Sequence, residues 1–220
     1  MIAVLTGDIV NSTKMSKQIY ADVIKSLKGF LHDAHTNFGA TGEIYRGDEF
    51  QIQYPTPVHA LKSTLLIKLA LHLSEYSKKP IQCTLSLAYG DYDTYDEKPN
   101  TSSGPVFIES GRGLSKTQRG ELSIHFQQQK AQRKEQDDIL ALTKLLTDFL
   151  NHLLNRLTKS QAQLLYQYIE HDFAEHQKMA EFTGTSRQNI SNRLGNIGAY
   201  LVRDYMAIIN NKIALLGGNN

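Results

Sequence analysis

Apolar and polar positions along the 220-residue chain follow two different rhythms. The opening run IAVLTG is short, apolar and β-branched and ends at Gly7-Asp8, which predicts a buried strand and its exit turn. From Lys14 to Phe38 apolar residues recur at helical spacing (Ile19, Val23, Leu27, Phe30, Leu31, Ala34), and Gly39 is placed to end the helix. GEIYRGDEFQIQY predicts a hairpin with strands around Ile44 and Ile52 and a turn at Gly47-Asp48. After the Pro55–Pro57 break comes an apolar helix from Val58 to Tyr76, then the strand IQCTLSLAYG and a polar loop over 91–103. SGPVFIESGRGLSK reads as a short helix and ELSIHF as a last strand. The order β-α-β-β-α-β with additions predicts an α+β half, ferredoxin-like or palm-type, with helices on one face of a single sheet.

The second rhythm begins after QQQKAQRKEQDD (127–138), which is polar apart from one alanine and reads as a joint. Everything beyond it is helical in pattern. ILALTKLLTDFLNHLLNRL is apolar nearly all round and is expected to be buried or paired with another helix. The predicted organisation is therefore a palm-like domain over 1–126, a linker over 127–138 and an all-α domain over 139–220. The Gly-Gly-Asn-Asn end is expected to fray.

Composition narrows the classes. With 40% hydrophobic and 21% charged residues the chain is globular rather than disordered. The first residues lack a basic head, and no run reaches the ~18–20 apolar residues of a membrane span. One cysteine, Cys83, rules out an intramolecular disulfide and a cysteine-based zinc cluster. A cytoplasmic protein with no membrane role is expected. Acidic and basic residues balance over 1–126, so the net charge of +2 arises beyond it. There, Arg187, Arg193, Arg203 and Lys212 face only Asp204 after position 184, a modest hint of an anionic partner.

HQKMAEFTGTSRQNISNRL carries the clearest signal in the second half. Two short helices crossing steeply need a left-handed residue in the turn and a small residue at the contact, and Gly184 and Ala180 supply them. Met179, Phe182, Ile190 and Leu194 form the expected inward set, and Ser186 can cap the second helix. This leaves Arg187, Gln188, Asn189, Ser191, Asn192 and Arg193 outward, side chains that can bond base edges and phosphates. The segment resembles the helix-turn-helix of bacterial transcription regulators. The resemblance implies DNA as partner, with Ser186, Arg187, Gln188, Asn189 and Asn192 on the reading surface. Arg187 and Gln188 are expected on bases, Arg193 and Arg203 on phosphates, and the last helix in a homodimer contact. A polar three-helix interaction module is the alternative.

In the first half, Asp8 ends one strand and Asp48 follows the next. A βαβ crossover brings parallel strands to finish at the same sheet edge, so both carboxylates should arrive together. Convergent carboxylates repel unless a cation lies between them, and hard oxygen ligands suit Mg²⁺ or Mn²⁺, which fill their shells with water and nucleotide phosphates. Gly7 and Gly47 would let phosphates approach the backbone, Ser12 and Thr13 offer hydroxyls near a helix start, and Arg46 offers a charge. Gly-Asp pairs are also ordinary turn sequences. The eight histidines show no ligand spacing.

GDIVNST at 7–13 resembles the first metal motif of class III nucleotidyl cyclases. GDEF at 47–50 resembles the second metal motif shared by those cyclases and the GGDEF diguanylate cyclases. Together with SGPVFIESGRGLS at 103–115, these motifs resemble the SatD family of bacterial proteins. The cyclase resemblance implies Asp8 and Asp48 as metal ligands, assisted by the Ile9 carbonyl and Glu49, with Arg112 as the candidate for transition-state charge. The chain departs from that pattern at Ile108, where cyclases carry an asparagine, and at Arg46, where GGDEF proteins carry a glycine. Two functions compete on this reading. One is a DNA-binding regulator whose palm-like domain senses a nucleotide with a divalent metal. The other is a Mg²⁺-dependent nucleotidyl cyclase or nucleotidyltransferase with an accessory DNA-binding domain.

Overall fold

A computed structural model describes residues 1–45, 47–75, 79–127 and 133–217. Arg46, Tyr76, positions 128–132 of the polar stretch and the last three residues of the tail lie outside the described residues. Strands β1 (Ile2–Ile9), β2 (Thr41–Tyr45), β3 (Glu49–Tyr54), β4 (Cys83–Gly90) and β5 (Leu122–Phe126) form one sheet in the order β2-β3-β1-β4-β5. Helix α1 (Lys17–Phe38) joins β1 to β2, α2 (Ala60–Leu73) joins β3 to β4, and α3 (Pro105–Lys116) precedes β5. The first six strands and helices, β1-α1-β2-β3-α2-β4, follow the ferredoxin-like order, with the α+β class as expected from the sequence.

The crossover differs from a simple βαβ unit. β1 and β2 run the same way but are not neighbours, because β3 inserts between them antiparallel to both. The two strands still end at the same sheet edge. The expectation of helices on one face is also corrected. Ala3, Leu5 and Ile9 of β1 share a core with Val23 and Leu27 of α1 and Leu61 and Leu65 of α2. On the opposite face Ile2, Val4 and Ala88 pack with Val106 of α3. Covering on both sides explains why β1 reads as a continuous apolar run rather than an alternating one.

Helix α1 begins at Lys17, where the Ser16 hydroxyl accepts from the Ile19 N–H, and ends at Gly39 in the left-handed region. The predicted start at Lys14 falls instead in a 3₁₀ turn over Ser12–Lys14 that follows left-handed Asn11. The apolar helix predicted from Val58 is a 3₁₀ turn over Pro57–His59 continued by α2.

Five helices follow: α4 (Arg133–Asn155), α5 (Lys159–Glu170), α6 (His176–Thr183), α7 (Arg187–Ile197) and α8 (Ala199–Gly217). A capping box at Thr158 and Gln161 starts α5. Gly198, which is left-handed (φ 75°), ends α7 and separates it from α8. Helix α2 is buried nearly all round because the sheet covers one side and α5 the other. Helix α4 lies along the edge strand β5, where the Asn151 amide imitates a strand. It accepts from the Leu122 N–H and donates to the Leu122 carbonyl, both at 2.8 Å. One apolar core is continuous from Leu5 and Leu65 through Leu150 and Leu165 to Ile209.

Candidate functional site

The acidic edge is built row by row across the sheet. Thr6 of β1 points toward α3, its hydroxyl 2.6 Å from that of Ser110, and accepts from the Gln51 amide at 3.0 Å. Two residues further along β1, Asp8 points the same way. Its cross-strand partners are Glu49 on β3 and Thr84 on β4, so the Asp8 and Glu49 side chains lie side by side on one face. Asp48 sits in the adjoining hairpin turn. Burial raises the Asp8 carboxyl above the ordinary aspartate value, and the charges of Asp48 and Glu49 raise it further, against an opposing pull from Arg119. Among the described residues none of these three acids forms an ion pair. Like charges on neighbouring strands at one sheet edge cost energy, and a cation would relieve that cost.

Among the described residues no group of three or more His, Cys, Asp or Glu side chains is arranged to hold a metal ion. A cation at this edge would thus rely on two carboxylates plus oxygens from the main chain, water and a ligand, a donor set that suits Mg²⁺.

Arg119 is a neighbour of this edge that the sequence reading missed. The loop carrying it is tied down beside Asp8: the Gly120 N–H donates to the Thr84 hydroxyl at 3.1 Å. On the other side of the same residue, the buried Lys68 ammonium donates to the Gly120 carbonyl at 2.6 Å. Burial lowers the Lys68 pKa. A lone arginine before a glycine has no sequence signature, so only the tertiary anchor reveals its position.

The remaining candidates are more scattered. Gly7 is buried, and a side chain there would overlap the Phe50 ring and meet Leu85 Cδ2 at 2.8 Å. Its bare Cα therefore serves core packing on the face opposite Asp8. Gly7→Ala is expected to cost ~1–3 kcal/mol through overpacking, measurable by urea denaturation. Gly47 is left-handed (φ 90°) and packs under the Tyr20 hydroxyl. Ile9 is buried, Ser12 is buried and Thr13 exposed, and the latter two lie in the turn before α1 rather than at its start. Arg112 and Ile108 are exposed on α3, away from its sheet-facing Ser110.

Helices α6 and α7 meet around Gly184 (φ 64°), with Met179, Ala180, Ile190 and Leu194 buried between them and their neighbours. Phe182 is not in that inward set; it is 56% exposed and stacks on His171. The Ser186 hydroxyl caps α7, accepting from the Asn189 N–H. Arg187, Gln188, Asn189 and Asn192 stand exposed on α7. Two bonds preset that face: the Gln188 amide donates to Asn192 at 3.1 Å, and the Asn189 amide donates to the Thr185 hydroxyl at 2.7 Å. Arg193 is half-buried and reaches Ser160 of α5, while Arg203 on α8 pairs with Asp204 beside the Tyr200 ring. Among the described residues no helix is long and apolar enough to cross a membrane.

No protein-family model matches the chain, and no curated protein matches it by sequence. Solved structures of nucleotidyl cyclase domains are similar to it over 56% of its length. The adenylyl cyclase CyaB from P. aeruginosa is 14% identical, with 75% of that chain covered and a TM-score of 0.43. The guanylate cyclase domain of RhGC from Catenaria anguillulae, solved with GTP, is 18% identical, with 76% covered and a TM-score of 0.45. An adenylate cyclase from Trypanosoma brucei in its monomeric state is 14% identical, with 72% covered and a TM-score of 0.46.

Proposed function

We propose that the palm-like half binds a nucleoside triphosphate together with Mg²⁺ or Mn²⁺ at the Asp8 edge, and that occupancy of this site tunes DNA binding by the α6–α7 helix-turn-helix in a cytoplasmic homodimer. The observation that carries the reading is the row of acids at one sheet edge, Asp8, Glu49 and Asp48, without an ion-pair partner among the described residues and with Arg119 beside it. Asp8 and Asp48 would hold the cation, with the Ile9 carbonyl and Glu49 assisting, while Arg119 and the Ser12–Thr13 turn would meet the phosphates; Arg46, the other basic candidate, lies outside the described residues. A bound cation would supply charge neutralisation and phosphate orientation. Isothermal titration of the protein with each nucleoside triphosphate, with and without Mn²⁺, tests this directly. Affinity that needs the metal supports it, and affinity indifferent to the metal overturns it.

Turnover as a nucleotidyl cyclase is the second reading, favoured by one observation: Arg112 is exposed on α3 and so open to a site on another copy. Pyrophosphate release from a nucleoside triphosphate, lost in Arg112→Ala, is the expected sign of that activity.

For the helix-turn-helix, Arg187→Ala and Gln188→Ala are each expected to weaken sequence-selective DNA binding by ~1–3 kcal/mol. Arg203→Ala should instead mainly flatten the salt dependence. Fluorescence anisotropy on selected and random duplexes separates the two effects.

A further inference from the structure

Helix α4 buries only part of its apolar surface. Ile139, Leu142, Leu145 and Phe149 are 48%, 55%, 51% and 64% exposed. Ile139, Leu142, Leu146, Phe149 and Leu153 alternate at spacings of three and four residues, the rhythm of a helix-to-helix seam. Helix α8 carries a second stripe, Leu201, Ile208 and Leu215, spaced seven apart and 68%, 53% and 73% exposed. The two stripes meet. Gly198, at the head of α8, lies between Leu153 and Leu201: a Cβ there would stand 3.0 Å from the first and 3.7 Å from the second. Further along, the Thr147 and Tyr205 hydroxyls are 2.7 Å apart, so α4 and α8 run side by side in opposite directions. The stripes thus flank one junction and form a single apolar surface.

Seven side chains, each leaving on the order of 100 Å² open to water, offer roughly 700 Å² per copy, close to the ~800 Å² per partner of a stable specific interface. A monomer rarely exposes so much contiguous apolar surface. The polar residues beside the stripes carry mixed charge, Lys144 paired with Asp148 and Arg203 with Asp204, rather than the basic face of a membrane-surface helix.

We propose that this α4–α8 surface is the contact between two copies of the chain. Two antiparallel helices on each copy, related by a two-fold axis, close into a four-helix arrangement in which every exposed stripe finds an apolar partner. The proposal rests on the homodimer of the reading above and names its surface. It also puts the contact on the helix that lies along β5, so the partner sits on an element joined to the palm-like sheet as well as to the helix-turn-helix.

Light scattering coupled to gel filtration, run on the full chain over a range of concentrations, provides the test, alongside the double variant Phe149→Glu/Leu215→Glu. Both positions face water in the single copy, so circular dichroism should be unchanged. The wild type is expected to be a dimer, with dissociation at least 100-fold easier in the variant. Phe182→Glu, an exposed aromatic outside the surface, should leave the dimer intact. A wild-type monomer at every concentration overturns both the homodimer and its surface. A dimer that survives the double substitution keeps the homodimer and overturns the surface. A monomer that binds phosphatidylcholine vesicles through these residues also overturns the proposal, in favour of a lipid contact.

Discussion

Asp8→Ala should leave the protein folded and remove metal-dependent nucleotide binding, weakening it by roughly 100-fold or more, about 2.7 kcal/mol, in a titration with Mn²⁺ and a nucleoside triphosphate. A small divalent ion that uses only one or two protein carboxylates loses at least half of the protein's ligand charge when one is deleted. Stability should respond in the opposite sense. In the free protein Asp8 is held against burial and against the charges of Asp48 and Glu49, so deleting it removes repulsion. The thermal midpoint is expected to stay level or rise. A fall in both binding and stability would instead mark Asp8 as an ordinary structural residue of the strand end.

Asn151→Ala carries the largest expected effect on stability, ~3–4 kcal/mol in urea or thermal denaturation. Asn151 is 1% exposed, and its amide satisfies both main-chain groups of Leu122 on the edge strand. The register of β4 with β5 turns Ser123 and His125 toward β4 and Leu122 away from it, so no strand can replace the amide. Truncation would leave a buried N–H and a buried carbonyl unpaired, each costing ~1–3 kcal/mol. Asn151→Asp should recover part of the loss only as the neutral acid, which can accept from the Leu122 N–H and donate its hydroxyl to the Leu122 carbonyl, so the recovery should fade as the pH rises.

Much of this was legible in the linear pattern, and the misses share a cause. The strand and helix order, the left-handed Gly184 and the Ser186 cap follow from short-range chemistry that sequence displays directly. The placement of α3 on the second face did not, because its sheet-facing residues, Val106, Ser110 and Gly113, are too small and mixed to advertise which layer they cover. Phe182 was expected inside the helix-turn-helix on apolarity alone, but Met179 and Ala180 already fill the contact, and the ring turns out to His171. At the acidic edge the convergence of Asp8 and Asp48 could be argued from topology. Glu49 directly beside Asp8, and Arg119 brought in by Lys68 and Thr84, depend on register and on a contact between residues 52 positions apart. Gly7 illustrates the reverse error, since a motif glycine that suggests phosphate proximity has a sufficient reason in the Phe50 ring behind it.

The sandwiching of α2 between sheet and α5 has a practical consequence for anyone dissecting the molecule. A fragment cut near residue 126 would carry a helix whose Leu61, Leu65 and Leu69 belong to a core continuous with the helical half, and it would lose the Lys62 ion pair to Asp172. The complementary fragment would strip Leu164 and Leu165 of their cover. Each piece should be expressed as aggregate rather than as a tame module, and the intact chain should melt in one step. Any message passing from nucleotide to operator would then travel through that shared core, as a tilt of packed helices.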